Sequence, residues 1–167
     1  MIRLLGVLLI FGGGGGIAVL MLRRRQKELD AVGELLYALH RMEREIRAEG
    51  RGLREIFSAL AEETAGETRT FFCQMLRLWQ EPVEMDFLRR WEESLPLLCL
   101  PAEGGSIWRE LGRRLEGDSE SLEKGLALAS EELAALQAQL KRALPEQRRV
   151  VTALSLSGAA ILSVLLL

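Results

Sequence analysis

Apolar residues recur at helical spacing through the last third of the chain. Within residues 118–144 they fall in steps of three and four, at Leu122, Leu126, Ala129, Leu133, Leu136, Leu140 and Leu144. Such a stripe is one face of a helix that packs against other helices. Residues 150–167 carry no charge, and their helix would be about 27 Å long, close to the hydrocarbon thickness of a bilayer. The pattern therefore predicts a bundle helix that leads into a transmembrane helix at 150–167.

A second apolar segment covers residues 2–22 and is followed at once by basic residues. A cleaved signal peptide would end in an Ala-x-Ala-like site, which is absent here, so the basic flank favours an uncleaved transmembrane helix. Within it, Gly12 and Gly16 form a Gly-x-x-x-Gly pair. This pair predicts close packing against another membrane helix, either residues 150–167 or a helix of a partner. The alternative is that the glycines only make the helix thin.

The basic residues beside the two apolar segments all belong to the middle of the chain. They are Arg23, Arg24, Arg25, Lys27, Lys141, Arg142, Arg148 and Arg149. The positive-inside rule then places residues 23–149 in the cytoplasm and both termini outside. Arg3 alone favours the opposite orientation, and it is outnumbered. We expect these residues to form a basic collar at the membrane end of the bundle, in contact with anionic lipid. The alternative is that they set the topology without binding lipid.

Residues 23–149 show helical periodicity and no alternation by two. A long stripe predicts a helix over residues 26–49, and four shorter stripes follow it; the expected breaks lie near Gly50, Gly66, Pro82, Pro96 and Gly117. Pro101 with Gly104 and Gly105 predicts a loop, and Pro145 a break before the last apolar segment. The predicted fold is all-α: an antiparallel six-helix bundle at 23–149 between transmembrane helices at 2–22 and 150–167.

The chain offers little material for catalysis. It has one histidine, His40, and two isolated cysteines, Cys73 and Cys99, so neither a catalytic triad nor a metal site can be assembled. A protein that binds DNA or RNA needs a clustered basic face, and the net charge of −2 argues against one. We therefore predict a protein that is not an enzyme, needs no cofactor or metal, and takes neither nucleic acid nor a small-molecule substrate.

Charge also gathers where the two long predicted helices meet, about 40 Å from the membrane. The residues are Arg47, Arg51, Arg54, Asp118, Glu120 and Glu123. We interpret this distal end as the surface that meets partner proteins. The alternative is a solvated bundle tip, whose exposed ion pairs stabilise by at most about 1 kcal/mol.

The chain resembles the stage III sporulation protein AB family along essentially its whole length. The resemblance lies in the order of the parts and in the stretches 108–115, 126–133 and 154–158; Ser155 and Glu116 depart from the family pattern, because both stand where a glycine is usual. It implies a subunit of the channel that joins mother cell and forespore during endospore formation. It also implies a soluble domain like that of type II secretion platform proteins, which work beside a secretion-type ATPase.

Two functions follow as hypotheses. The first is a scaffold in the mother-cell membrane that faces the forespore and docks other channel subunits, including the ATPase, through its cytoplasmic bundle. The second is a membrane-anchored helical sensor or regulator unrelated to secretion. A sensor should carry a polar-lined pocket within its bundle, whereas a platform should show a groove or a charged patch on its surface.

Overall fold

The computed structural model describes residues 2–49, 51–81, 85–117 and 119–166, and within these ranges the chain forms six α-helices and no strand. The helices are α1 (Ile2–Glu49), α2 (Leu53–Glu63), α3 (Gly66–Gln80), α4 (Phe87–Ser94), α5 (Ala102–Leu115) and α6 (Ser119–Leu166). A short 3-10 turn, Leu95–Leu97, follows α4. The side chains of residues 2–19, 48–49, 119–120, 144 and 146–166 lie outside the description. The all-α class and the six helices are confirmed.

The predicted loop at Pro101 and the two following glycines is wrong. Pro101 is extended (φ −62°, ψ 158°), and α5 begins directly after it, so both glycines are helical. A Cβ on Gly104 would come within 3.2 Å of Leu136 on α6. Close helix packing, and not a turn, therefore accounts for Gly104.

The predicted break at Pro145 is also wrong, because α6 continues through this proline to Leu166. A proline inside a helix removes one backbone hydrogen bond and bends the helix, but it does not have to end it. In the same way α1 runs without interruption from the N-terminal apolar segment into the long amphipathic helix.

The chain divides into two compact units, Met1–Lys27 with Gln139–Leu167, and Glu28–Ala138. Among the described residues, no helix is both long enough and apolar enough to cross a membrane. The side chains at 2–19 and 150–167, on which the predicted spans depend, lie outside the description. The two spans, and the domain boundaries drawn from them, therefore stay predictions.

Aromatic residues form the centre of the second unit. The Trp91 ring lies edge-on to Phe71, with ring centroids 5.0 Å apart, and stacks on Trp108 at 5.2 Å. The Trp91 indole N–H donates to the backbone oxygen of Trp108 at 2.9 Å. The α5 backbone approaches so closely that a Cβ on Gly112 would lie 2.4 Å from Trp91. These contacts fix α4 against α5.

Contacts between α1 and α6 in the second unit recur at equal intervals. Arg47 Nη2 lies 3.6 Å from Glu123 Oε2, His40 Nε2 lies 3.0 Å from Ser130 Oγ, and a Cβ on Gly33 would lie 3.0 Å from Gln137 Nε2. Residue numbers thus fall along α6 as they rise along α1, in steps of seven on both helices. This interval is the heptad of helices that pack along a continuous seam.

Candidate partner-docking surface

A network of ion pairs lies where α1 ends and α2 begins. Arg51, in the connection between the two helices, places Nη1 3.0 Å from Oε2 of Glu45. The Glu45 side chain is only 3% exposed, and its other oxygen pairs with Arg41 one turn earlier. Within the described residues Glu45 Oε2 accepts no hydrogen bond, so the Arg51 contact is electrostatic and not a well-aligned bond. Two guanidinium groups therefore neutralise one buried carboxylate.

The same network reaches the end of α2 through Glu63. Arg41 donates to both oxygens of Glu63, from Nε at 3.2 Å and from Nη2 at 3.1 Å, and Tyr37 OH donates at 3.0 Å. The Arg41 hydrogen bond, followed by that of Tyr37, lowers the pKa of Glu63. Its hydrogen bond to Glu63 raises the pKa of Tyr37. A bidentate pair of this kind fixes orientation as well as charge, so it holds α2 in place against α1.

The residues predicted for the distal surface are partly brought together. Arg47 pairs with Glu43 at 3.0 Å and with Glu123 of α6 at 3.6 Å. The Arg47 and Arg51 side chains are still 53% and 45% exposed. Arg54, the second residue of α2, is exposed. Asp118, and the side chain of Glu120, lie outside the described residues.

The basic collar is described only in part. Its members with described side chains are Arg23, Arg24, Arg25, Lys27, Lys141 and Arg142, all exposed and all within the first compact unit. The side chains of Arg148 and Arg149 lie outside the description, as do Gly12 and Gly16 of the predicted membrane-helix contact. A shared collar, and the packing of the two glycines, stay predictions.

Sequence reasoning missed Tyr37, Arg41, Glu45 and Glu63. The first three recur every four residues and so lie on one face of α1, which is a signal that the sequence does contain. Glu63 is 22 residues away from Arg41 along the chain. Because its contact depends on how α2 folds back on α1, no local pattern indicates it.

A second surface feature is a groove of about 400 Å³ beside α4 and α5. Its apolar wall contains Leu95, Leu98 and Leu100, and exposed Glu92 and Arg109 also line it. Gly105 of α5 contributes a surface without a side chain. A groove of this size can accept one or two side chains of another molecule.

The described residues hold no group of three His, Cys, Asp or Glu side chains that could bind a metal ion. The chain has no significant match among curated proteins or solved structures. The family model of stage III sporulation protein AB matches residues 3–167. The match includes both long helices and the whole region between them, and it agrees with the resemblance in the sequence. The chain therefore belongs to the stage III sporulation protein AB family.

Proposed function

We propose that this protein is a membrane-anchored platform subunit of the secretion-like channel between mother cell and forespore. In this proposal residues 2–22 and 150–167 span the mother-cell membrane facing the forespore, and residues 23–149 form an antiparallel bundle in the cytoplasm. Its family is a sporulation family. The opposite order of residue numbers in the contacts between α1 and α6 supports an antiparallel arrangement.

The proposed docking role rests on one observation: ion pairs hold basic side chains in place at the distal end, and these side chains remain accessible to solvent. Carboxylates of Glu43, Glu45 and Glu123 fix the guanidinium groups of Arg47 and Arg51, and about half of each arginine side chain still meets solvent. A partner that binds these groups loses little side-chain entropy, because the chain has already ordered them. Arginine is also enriched at the centres of protein interfaces.

The proposed partner is an acidic surface of another channel subunit, with the secretion-type ATPase as the first candidate. The test compares the full chain in nanodiscs with the double variant Arg51→Glu, Arg54→Glu. A matched control, Arg77→Glu with Arg89→Glu, makes the same charge change on α3 and α4, where both arginines are more than 60% exposed. We expect the distal variant to weaken ATPase binding at least tenfold and the control to bind as wild type.

The bundle must stay folded in this comparison, and its thermal unfolding provides the check. If the distal variant unfolds like wild type and binds every channel partner with unchanged affinity, the distal surface is not the docking site.

Membrane anchoring has a separate test. In the proposal the basic collar binds the anionic headgroups of the membrane that the two helices cross. Alkaline carbonate removes proteins that are held to a membrane only by charge, so a chain with two spanning helices should stay in the membrane pellet after this extraction. Release into the supernatant would refute the two spans.

A further inference from the structure

Gly105 contributes backbone without a side chain to the lining of the groove beside α4 and α5. The backbone of Gly105 does not require glycine, since Gly66 is the only described glycine with a positive φ. Packing does not require it either, because a Cβ there would meet nothing within 4 Å. Glycine inside a helix is less stable than alanine by about 1 kcal/mol. Neither the backbone nor the packing of a single copy therefore accounts for glycine at this position.

Opposite charges line the groove. Glu92 of α4 and Arg109 of α5 are both exposed, and neither forms an ion pair or a side-chain hydrogen bond within the described part of the chain. Three leucines contribute the apolar surface of the same groove. The groove is therefore complementary to an apolar side chain flanked by one basic and one acidic group.

The chain presents such a group on α6. Leu128 is 40% exposed, and it lies on a helix whose opposite face is buried at Leu126, Ala129 and Leu133. Lys124 precedes it by four residues, and Glu131 and Glu132 follow by three and four; all three are exposed. Residues at these spacings share one helix face. The face carries a base, a leucine and an acid within about 12 Å of helix.

We propose that Leu128 of one copy of this chain inserts into the groove of a second copy. Lys124 then faces Glu92 of the second copy, and the carboxylates of Glu131 and Glu132 face its Arg109. The contact joins two different sets of residues, so it can be made reciprocally in a two-fold dimer or continue from copy to copy until it closes into a ring. The proposal goes beyond docking of other subunits and rests only on residues of the second compact unit.

A mixing experiment with opposite charge reversals tests the contact. Full-length chains in detergent micelles carry either Glu92→Lys or Lys124→Glu, each labelled with a different dye. Each variant alone places like charges at its own contact, so we expect self-association to weaken about fivefold. In the mixture the groove that carries Glu92→Lys meets the α6 face that carries Lys124→Glu, so opposite charges face each other again and energy transfer between the dyes should return to near the wild-type value. Glu93→Lys, which changes the adjacent residue outside the groove, should associate as wild type.

A second variant fills the groove. Gly105→Leu should abolish association, whereas Gly52→Leu, at another glycine whose added Cβ meets open space, should not. Both variants are first shown to unfold at or above the wild-type temperature. A wild-type chain that stays monomeric at 100 μM overturns the proposal. Unchanged association of Gly105→Leu, or no recovery of transfer in the mixture, overturns it as well.

Discussion

Substitution of Gly112 by alanine tests the packing that fixes α4 against α5. The new methyl group would lie 2.4 Å from Cδ1 and 2.5 Å from Nε1 of Trp91, well inside van der Waals contact. Trp91 is completely buried, and its indole N–H donates to Trp108. The ring therefore cannot move aside without losing that hydrogen bond or disturbing its contact with Phe71.

The magnitude follows from three contributions. Overpacking a core costs about 1–3 kcal/mol, and a weakened hydrogen bond adds about 1 kcal/mol. Alanine in place of a helical glycine returns about 1 kcal/mol. We therefore expect Gly112→Ala to lower the free energy of unfolding by about 1–3 kcal/mol.

Gly105→Ala on the same helix is the matched control, because its Cβ meets open space. Here the helix preference acts alone, and we expect stabilisation by about 0.4–1 kcal/mol. Urea unfolding of the full chain in detergent, followed by tryptophan fluorescence, measures both variants. The packing argument fails if Gly112→Ala is as stable as wild type, or if the two variants shift in the same direction.

Three further predictions concern single contacts. Wild type should be more stable than Glu63→Gln at pH 7, and the gap should narrow as the pH falls through the lowered pKa of Glu63, because a carboxylate with a lowered pKa loses its contribution when it is protonated; a gap that stays constant or widens with falling pH contradicts this. Asp86→Ala should cost about 1 kcal/mol, since the Asp86 carboxylate accepts a hydrogen bond from the first turn of α4 at 2.8 Å, and Asp86→Asn should recover most of it. The substitutions His40→Ala and Ser130→Ala should be non-additive in their effect on the free energy of unfolding, because the two side chains lie 3.0 Å apart, whereas His40→Ala and Glu123→Ala should be additive; additive effects of the first pair contradict the contact.

The helices could be predicted because their boundaries depend on local chemistry. Apolar stripes at steps of three and four mark α1 to α6, and α4 ends before Pro96 because proline has no backbone N–H with which to continue the helix. The two wrong predictions, a loop at Gly104 and a break at Pro145, have one cause. At Gly104 and Pro145, residue types that commonly break a helix lie within one, and at Gly104 a tertiary contact with Leu136 provides the reason.

The candidate site could be predicted only in outline. The clustering of Arg47 and Glu123 followed from two long helices of matched length, and the structure joins them. The pairing of Arg41 with Glu63 could not be predicted, because it depends on the angle at which α2 returns to α1. The groove escaped prediction for a similar reason: it is formed by residues of two helices and the turn between them, and no single stripe contains it.

Co-purification tests the platform claim most directly. The full-length protein, tagged and expressed in sporulating cells, is solubilised in mild detergent, and its partners are identified by mass spectrometry. We predict that a secretion-type ATPase and other channel subunits are recovered with wild type, and are depleted at least tenfold with Arg51→Glu, Arg54→Glu. Recovery of the protein without any channel subunit, from cells that contain them all, would contradict its role as a platform.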